Sequence, residues 1–205
     1  MLRRSSIAVA IATLVALPAT MLAQSDSLPS RTHLGLAAVS AVSVNAGFAS
    51  IQRGYHGLSI GGTVDFGHLA TPRLRVLADV GYLLSFAKTE YVQSENKTYR
   101  DNFRDLTGSL ALAFHPNAPT SRVTPYAIGG LGVHVLSSTF GSLAIDRRYN
   151  TNNFGLLLAG GARLRLGGSR KHAFLVEVRR VLSQDVSRTS IHVGIVALVG
   201  ELAPH

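Results

Sequence analysis

The side chains able to do chemistry in this chain are eight histidines, a scatter of serines, eleven carboxylates and twenty basic residues, with no cysteine. The histidines stand at positions 33, 56, 68, 115, 134, 172, 192 and 205. They lack the close ligand spacing of zinc sites, so neither metal nor cofactor is expected. A catalytic serine needs a base within hydrogen-bond reach, and the nearest pairing is His134 with Ser137 or Ser138. On a strand, three residues' separation puts His134 and Ser137 on opposite faces, so the chain reads as non-enzymatic. Gly129-Gly130-Leu131-Gly132 lies within a strand pattern with no helix after it, which is not how a phosphate-cradling loop is built.

Ion pairing is the chemistry the spacing does favour. Asp65, Arg73, Arg75, Asp79, Arg163, Arg165, Glu177 and Arg179 all share the polar parity of alternating segments. Asp65 is expected to face Arg73 or Arg75 across one turn, Arg163 to sit diagonally from Glu177 across another, and Asp79 and Arg179 to share the same lining. A second group lies in polar stretches: Tyr91, Tyr99 and Phe103 within 88–104, and Arg147, Arg148 and Tyr149 within 141–152. Aromatics beside arginines suit contact with a partner or with a phosphate.

The elements that must position these groups repeat with period two, the signature of strands. Leu58, Ile60, Val64 and Phe66 alternate with Ser59, Thr63 and Asp65. Leu74, Val76, Ala78, Val80, Tyr82, Leu84 and Phe86 alternate with Arg73, Arg75, Asp79 and Ser85. The pattern recurs around Leu106 to Phe114, Ala127 to Val135, Phe154 to Leu166, Phe174 to Val178 and Ile191 to Val199. An eighth segment is placed at 34–44, where alanine and valine fall on both faces; antiparallel closure with both ends together needs an even count. Connections alternate in character. Segments 68–72, 115–125 and 167–171 carry Pro, Asn or Gly and read as turns, whereas 45–57, 88–104 and 141–152 are longer, polar loops and 183–188 is a short fourth.

Length and composition agree. The 205 residues are 46% hydrophobic and 15% charged, enough for one domain, and the apolar residues are dispersed. Met1-Leu2-Arg3-Arg4, an apolar run from Ile7 to Leu17 and small residues near Ala23 form a cleavable export signal. Residues 1–23 are thus read as signal peptide, 24–33 as a periplasmic lead-in and 34–205 as the barrel domain. The net charge of +9 falls to +7 without Arg3 and Arg4. Its arginines are mostly single residues within apolar alternation, with no run or helical stripe, so nucleic acid is not an expected partner.

Period alone does not say which face points to water. The polar parity here is small and glycine-rich, with sparse charges of both signs, which fits a narrow barrel interior in which charges are paired. The apolar parity offers enough positions to cross a membrane, which takes ~9–11 residues of tilted strand. Thr124-Pro125-Tyr126-Ala127-Ile128-Gly129-Gly130-Leu131-Gly132-Val133, Asn153-Phe154-Gly155, Gly160-Gly161-Ala162-Arg163-Leu164 and Val176-Glu177-Val178-Arg179 resemble the bacterial outer-membrane β-barrel domain family, of the small eight-stranded kind. The chain departs from that family in ending Glu201-Leu202-Ala203-Pro204-His205 instead of in an aromatic residue. The resemblance implies an all-β, eight-stranded up-and-down transmembrane barrel in the bacterial outer membrane. It also implies contact with outer-membrane lipid, lipopolysaccharide and the barrel-assembly machinery. The expected role is structural or surface interaction by a monomer whose lumen is filled. Alternatives are a narrow passive channel, an envelope enzyme acting on lipid, for which the His-x-Ser arrangement of lipid A deacylases is lacking, and a soluble lipocalin-like barrel with its apolar residues inside.

Overall fold

A computed structural model describes residues 39–94, 96–117, 121–142, 145–166, 171–183 and 187–199. The segments read as signal peptide and lead-in lie outside these, as do the last six residues. Nine strand segments follow in order: β1 (Ala41–Ile51), β2 (Tyr55–Leu69), β3 (Thr71–Ser85), β4 (Lys88–Val92), β5 (Lys97–Phe114), β6 (Val123–Ser142), β7 (Ile145–Arg165), β8 (His172–Ser183) and β9 (Arg188–Leu198). β3 and β4 both pair with β5, one above the other, so together they form one wall strand interrupted at Phe86 and Ala87. Every pairing is antiparallel between neighbours, and β9 returns to β1 with Ala41 opposite Leu198. The result is a closed eight-stranded barrel with no open edge around its waist.

The alternation places the two residue classes as the sequence implies. Leu131, Phe154 and Val44 are 70%, 83% and 68% exposed on the outer wall, whereas Arg75 and Glu177 inside are 1% and 2% exposed. Apolar area left against water costs about 25 cal/mol per Å², and a continuous band of it marks an interaction or membrane surface. The outside is therefore built for hydrocarbon. The soluble-barrel alternative required the reverse.

Three expectations need correction. The first strand is Ala41–Ile51 and not 34–44, because its inner parity (Ser43, Asn45, Ala49) is as small and polar as a loop would be. The stretch 45–57 is accordingly mostly strand, closed by a short 3-10 turn at Gln52–Gly54. The supposed loops 88–104 and 141–152 are also largely strand, within β4, β5, β6 and β7. Above the apolar band a strand stands with its outward face in water, though Phe103 on the inward face is still buried. Such a strand keeps its ladder hydrogen bonds without alternating hydrophobicity, and so its polarity imitates a loop.

These extensions make the barrel lopsided. β8 leaves β7 after Ser183 opposite Gly155, yet β7 continues on β6 through 145–154 to the pair Ser142 and Ile145. At ~3.3 Å per residue this is roughly 30 Å of further strand. β4, β5, β6 and β7 therefore raise a polar sheet on one side of the rim opposite the one where β1 begins and β9 ends. At that lower rim, Gly67 adopts φ +100° at a register shift between Asp65 and His68. Its backbone N–H thereby donates to Asp65 Oδ1 at 3.0 Å.

Candidate functional site: the filled lumen and the raised sheet

Inward parity on all eight walls converges on the lumen, which is stacked in tiers. Near the lower rim, Arg75 Nε donates to both oxygens of Asp65, at 3.0 and 2.8 Å. Arg163 Nη1 lies 3.6 Å from the same carboxylate, and its guanidinium rests 5.4 Å over the Tyr126 ring. His115, in the turn beyond β5, packs against Tyr126 at 5.7 Å between ring centres and is fully buried. Burial, reinforced by the Arg163 guanidinium, pushes its imidazole down to about 4.

In the middle tier Arg179 bridges two carboxylates, Asp79 at 2.8 Å and Glu177. Tyr126 donates its hydroxyl to Glu177 at 2.8 Å, and Thr63 donates to Asp79 at 2.7 Å. The next tier joins Asp105 to Arg188 and, at 3.1 Å, to His134. Gly155 makes room for that histidine, since a Cβ there would collide with its ring. Above these, Ala49, Ile51, Leu83 and Phe103 form a buried apolar cluster on the β1, β3 and β5 side of the lumen, with Tyr55 and Leu136 packed on them.

The buried charges number four carboxylates (Asp65, Asp79, Asp105, Glu177) and four arginines (Arg75, Arg163, Arg179, Arg188) among the described residues. The lumen is charge-balanced, and the chain's basic excess lies elsewhere. Breaking such a balance is costly: a buried ion left without its partner destabilises by about 3–5 kcal/mol.

One arrangement has the form of a nucleophilic site. His192 Nε2 is 2.8 Å from Ser190 Oγ and its Nδ1 is 2.7 Å from Asn45 Oδ1. With the proton on Nδ1 donated to Asn45, Nε2 is free to accept the Ser190 hydroxyl, as a catalytic base does. The adjoining cavity has about 20 Å³ of room. That is space for a water molecule and not for an ester.

Of the eight charged residues expected in the lumen, Asp65, Arg75, Asp79, Arg163, Glu177 and Arg179 are brought together. Asp65 meets Arg75 and not Arg73, which is exposed at the turn; Arg165 is partly exposed at the same rim. Arg163 reaches Asp65 and not Glu177, which the nearer Arg179 occupies. Sequence reasoning left Asp105, Arg188, His134, His192, Ser190, Asn45 and Tyr126 out of the network. Their inward parity was the available signal. His134 and Ser137 fall on opposite faces, His134 buried and Ser137 exposed.

The loop candidates lie on strands of the raised sheet. Tyr91, in β4, is exposed and donates to Asn96 at 2.6 Å; Tyr99, in β5, is half-buried. Phe103 is not a surface residue at all, being part of the buried apolar cluster inside the barrel. Arg147, Arg148 and Tyr149 belong to β7, with their side chains outside what is described.

The chain matches the family described as outer membrane protein beta-barrel domain over residues 9–197. Among solved structures, it is similar to a major outer membrane protein from Thermus thermophilus (15% identity, 78% of this chain and 98% of that chain, TM-score 0.58). It is also similar to Neisserial surface protein A (13% identity, 78% and 96%, TM-score 0.55) and to the outer membrane enzyme PagL (16% identity, 78% and 100%, TM-score 0.46). At these identities the similarity to the first two is one of fold. No curated protein matches the chain.

Proposed function

Because this chain belongs to the outer membrane protein β-barrel domain family, we propose that in the bacterial outer membrane it acts without turnover, closed to solutes, through the polar sheet it raises above one side. The lower rim, where β1 begins and β9 ends, then faces the periplasm, and β4 to β7 project outside the cell. The observation that carries the reading is the lumen itself. Its ion pairs balance, and a buried apolar cluster packs above them. A permeant ion would have to break buried pairs to pass. A lipid substrate would not reach Ser190, which is 3% exposed.

The raised sheet supplies what a surface role needs. On its outward parity β5 presents Thr98, Arg100, Asn102 and Arg104, all exposed. Above Gly155 the edge of β7 has no strand partner among the described residues, and such an edge accepts an added strand from another chain. The barrel works as a monomeric stand for this sheet, set in lipopolysaccharide and delivered by the barrel-assembly machinery.

Planar-bilayer recording tests the closed lumen. The full chain, folded into a bilayer, is expected to give no discrete conductance steps. Reproducible steps that vanish when the protein is omitted would favour the passive channel instead.

A further inference from the structure

On the far side from the raised sheet, a row of outward residues across β8, β9, β1 and β2 breaks the wall's apolar rule. Arg180 on β8 pairs in register with Thr189 on β9. Thr189 pairs with Ser50 on β1, and Ser50 with His56 on β2. All four share the outward parity. Arg180, Ser50 and His56 are exposed, and Arg180 Nη1 donates to Thr189 Oγ1 at 2.6 Å.

The depth of the row follows from the strands. Hydrogen-bonded rows run perpendicular to strands tilted ~35–45°, so the row is inclined to the membrane plane by a similar angle. Three strand spacings of ~4.8 Å make it about 14 Å long, with a climb of roughly 9 Å. His56 is the uppermost outward residue of β2. Arg180 instead lies between Val178 and Leu182, both exposed apolar residues of the same wall, with Ile191 and Leu158 beside it. The guanidinium thus sits inside the hydrocarbon band and the row leads from it up to the rim. There Phe48 stacks on His56 at 5.6 Å.

A lipid-facing arginine carries a penalty that grows with depth. Among the described residues Arg180 donates to Thr189 and pairs with no carboxylate. The row is made of donors: five guanidinium N–H groups, two hydroxyls and an imidazole. We propose that the outward row Arg180, Thr189, Ser50 and His56 is a binding site for a phosphate group of an outer-leaflet glycolipid, drawn down into the band by Arg180. A phosphate monoester fits because its oxygens accept from several donors at once and pair with arginine bidentately. The proposal rests on the orientation given above, in which this end of the barrel faces outward.

Native mass spectrometry of the full chain folded in neutral detergent tests it, with bis-phosphorylated lipid A, its dephosphorylated form and phosphatidylglycerol as probes. Wild type is expected to retain one bis-phosphorylated lipid A. Arg180→Leu should weaken that binding about tenfold, as should removing the phosphates from the lipid, while Thr189→Val weakens it less. Arg180→Leu should remain heat-modifiable on gels, and in phosphatidylcholine vesicles its urea midpoint should rise. Equal lipid A binding by Arg180→Leu overturns the proposal. So does equal retention of phosphatidylglycerol, or a wild-type dimer that Arg180→Leu dissolves, which would make the row a contact between copies. Conductance by the barrel would sink the closed-lumen reading and leave this result standing.

Discussion

Arg179 is the residue on which the lumen most depends, because it alone joins Asp79 to Glu177. Arg179→Met leaves two buried carboxylates facing each other and is expected to lower stability by about 3–5 kcal/mol, read as a fall in the urea midpoint in lipid vesicles. A loss under ~1 kcal/mol would mean that water reaches the tier. His115 gives a pH dependence. Its imidazole is held down to about 4 when folded, against ~6.5 in the unfolded chain. The unfolded state therefore takes the proton first. Stability is intact above pH ~6.5 and declines as pH falls towards 4, by at most about 3 kcal/mol. His115→Gln should flatten that part of the profile, and an unchanged slope contradicts the assignment. At this scale parity was legible in sequence and partners were not. Asp65 and Arg75 meet across one turn and were within reach of local reasoning. Arg179 and Asp79 are one hundred positions apart, and Arg188 and Asp105 eighty-three; they meet only because the wall closes.

Among the elements, the raised sheet is where sequence and structure parted. Polarity in 88–104 and 141–152 imitates a loop because no hydrocarbon demands an apolar outward parity there. Phe103, on the inward parity of Asp105, still keeps period two there. If the sheet serves contact and not folding, trimming it should spare the barrel. Ser138 stands opposite Tyr149, so replacing 139–148 with Asn-Gly, a favoured two-residue hairpin turn, preserves register. The trimmed protein should fold and stay heat-modifiable, with its unfolding midpoint within about 1 kcal/mol of wild type. Loss of folding would assign the extension to the barrel's own stability. β1 is placed at 34–44 from the sequence, overlapping Ala41–Ile51, for a related reason: Ser43, Asn45 and Ala49 are small or polar because the lumen is narrow, so the upper half of the strand reads as loop.

For the molecule as a whole, the sequence carried the architecture well, since closure, strand count and the sense of the wall all follow from which parity is apolar and what the other contains. A core-inside barrel with Arg75, Arg179 and Arg188 on its surface would have had no reason to pair them with as many carboxylates. The decisive physical claim is thus the inversion, large apolar side chains outside and the ion pairs inside, set among buried small and apolar residues. Gel mobility of unboiled against boiled full-length protein, refolded with and without detergent, tests it most directly. The account predicts a fast-migrating, heat-modifiable species that forms only when detergent or lipid is present. A folded monomer in plain buffer, indifferent to detergent, would contradict it.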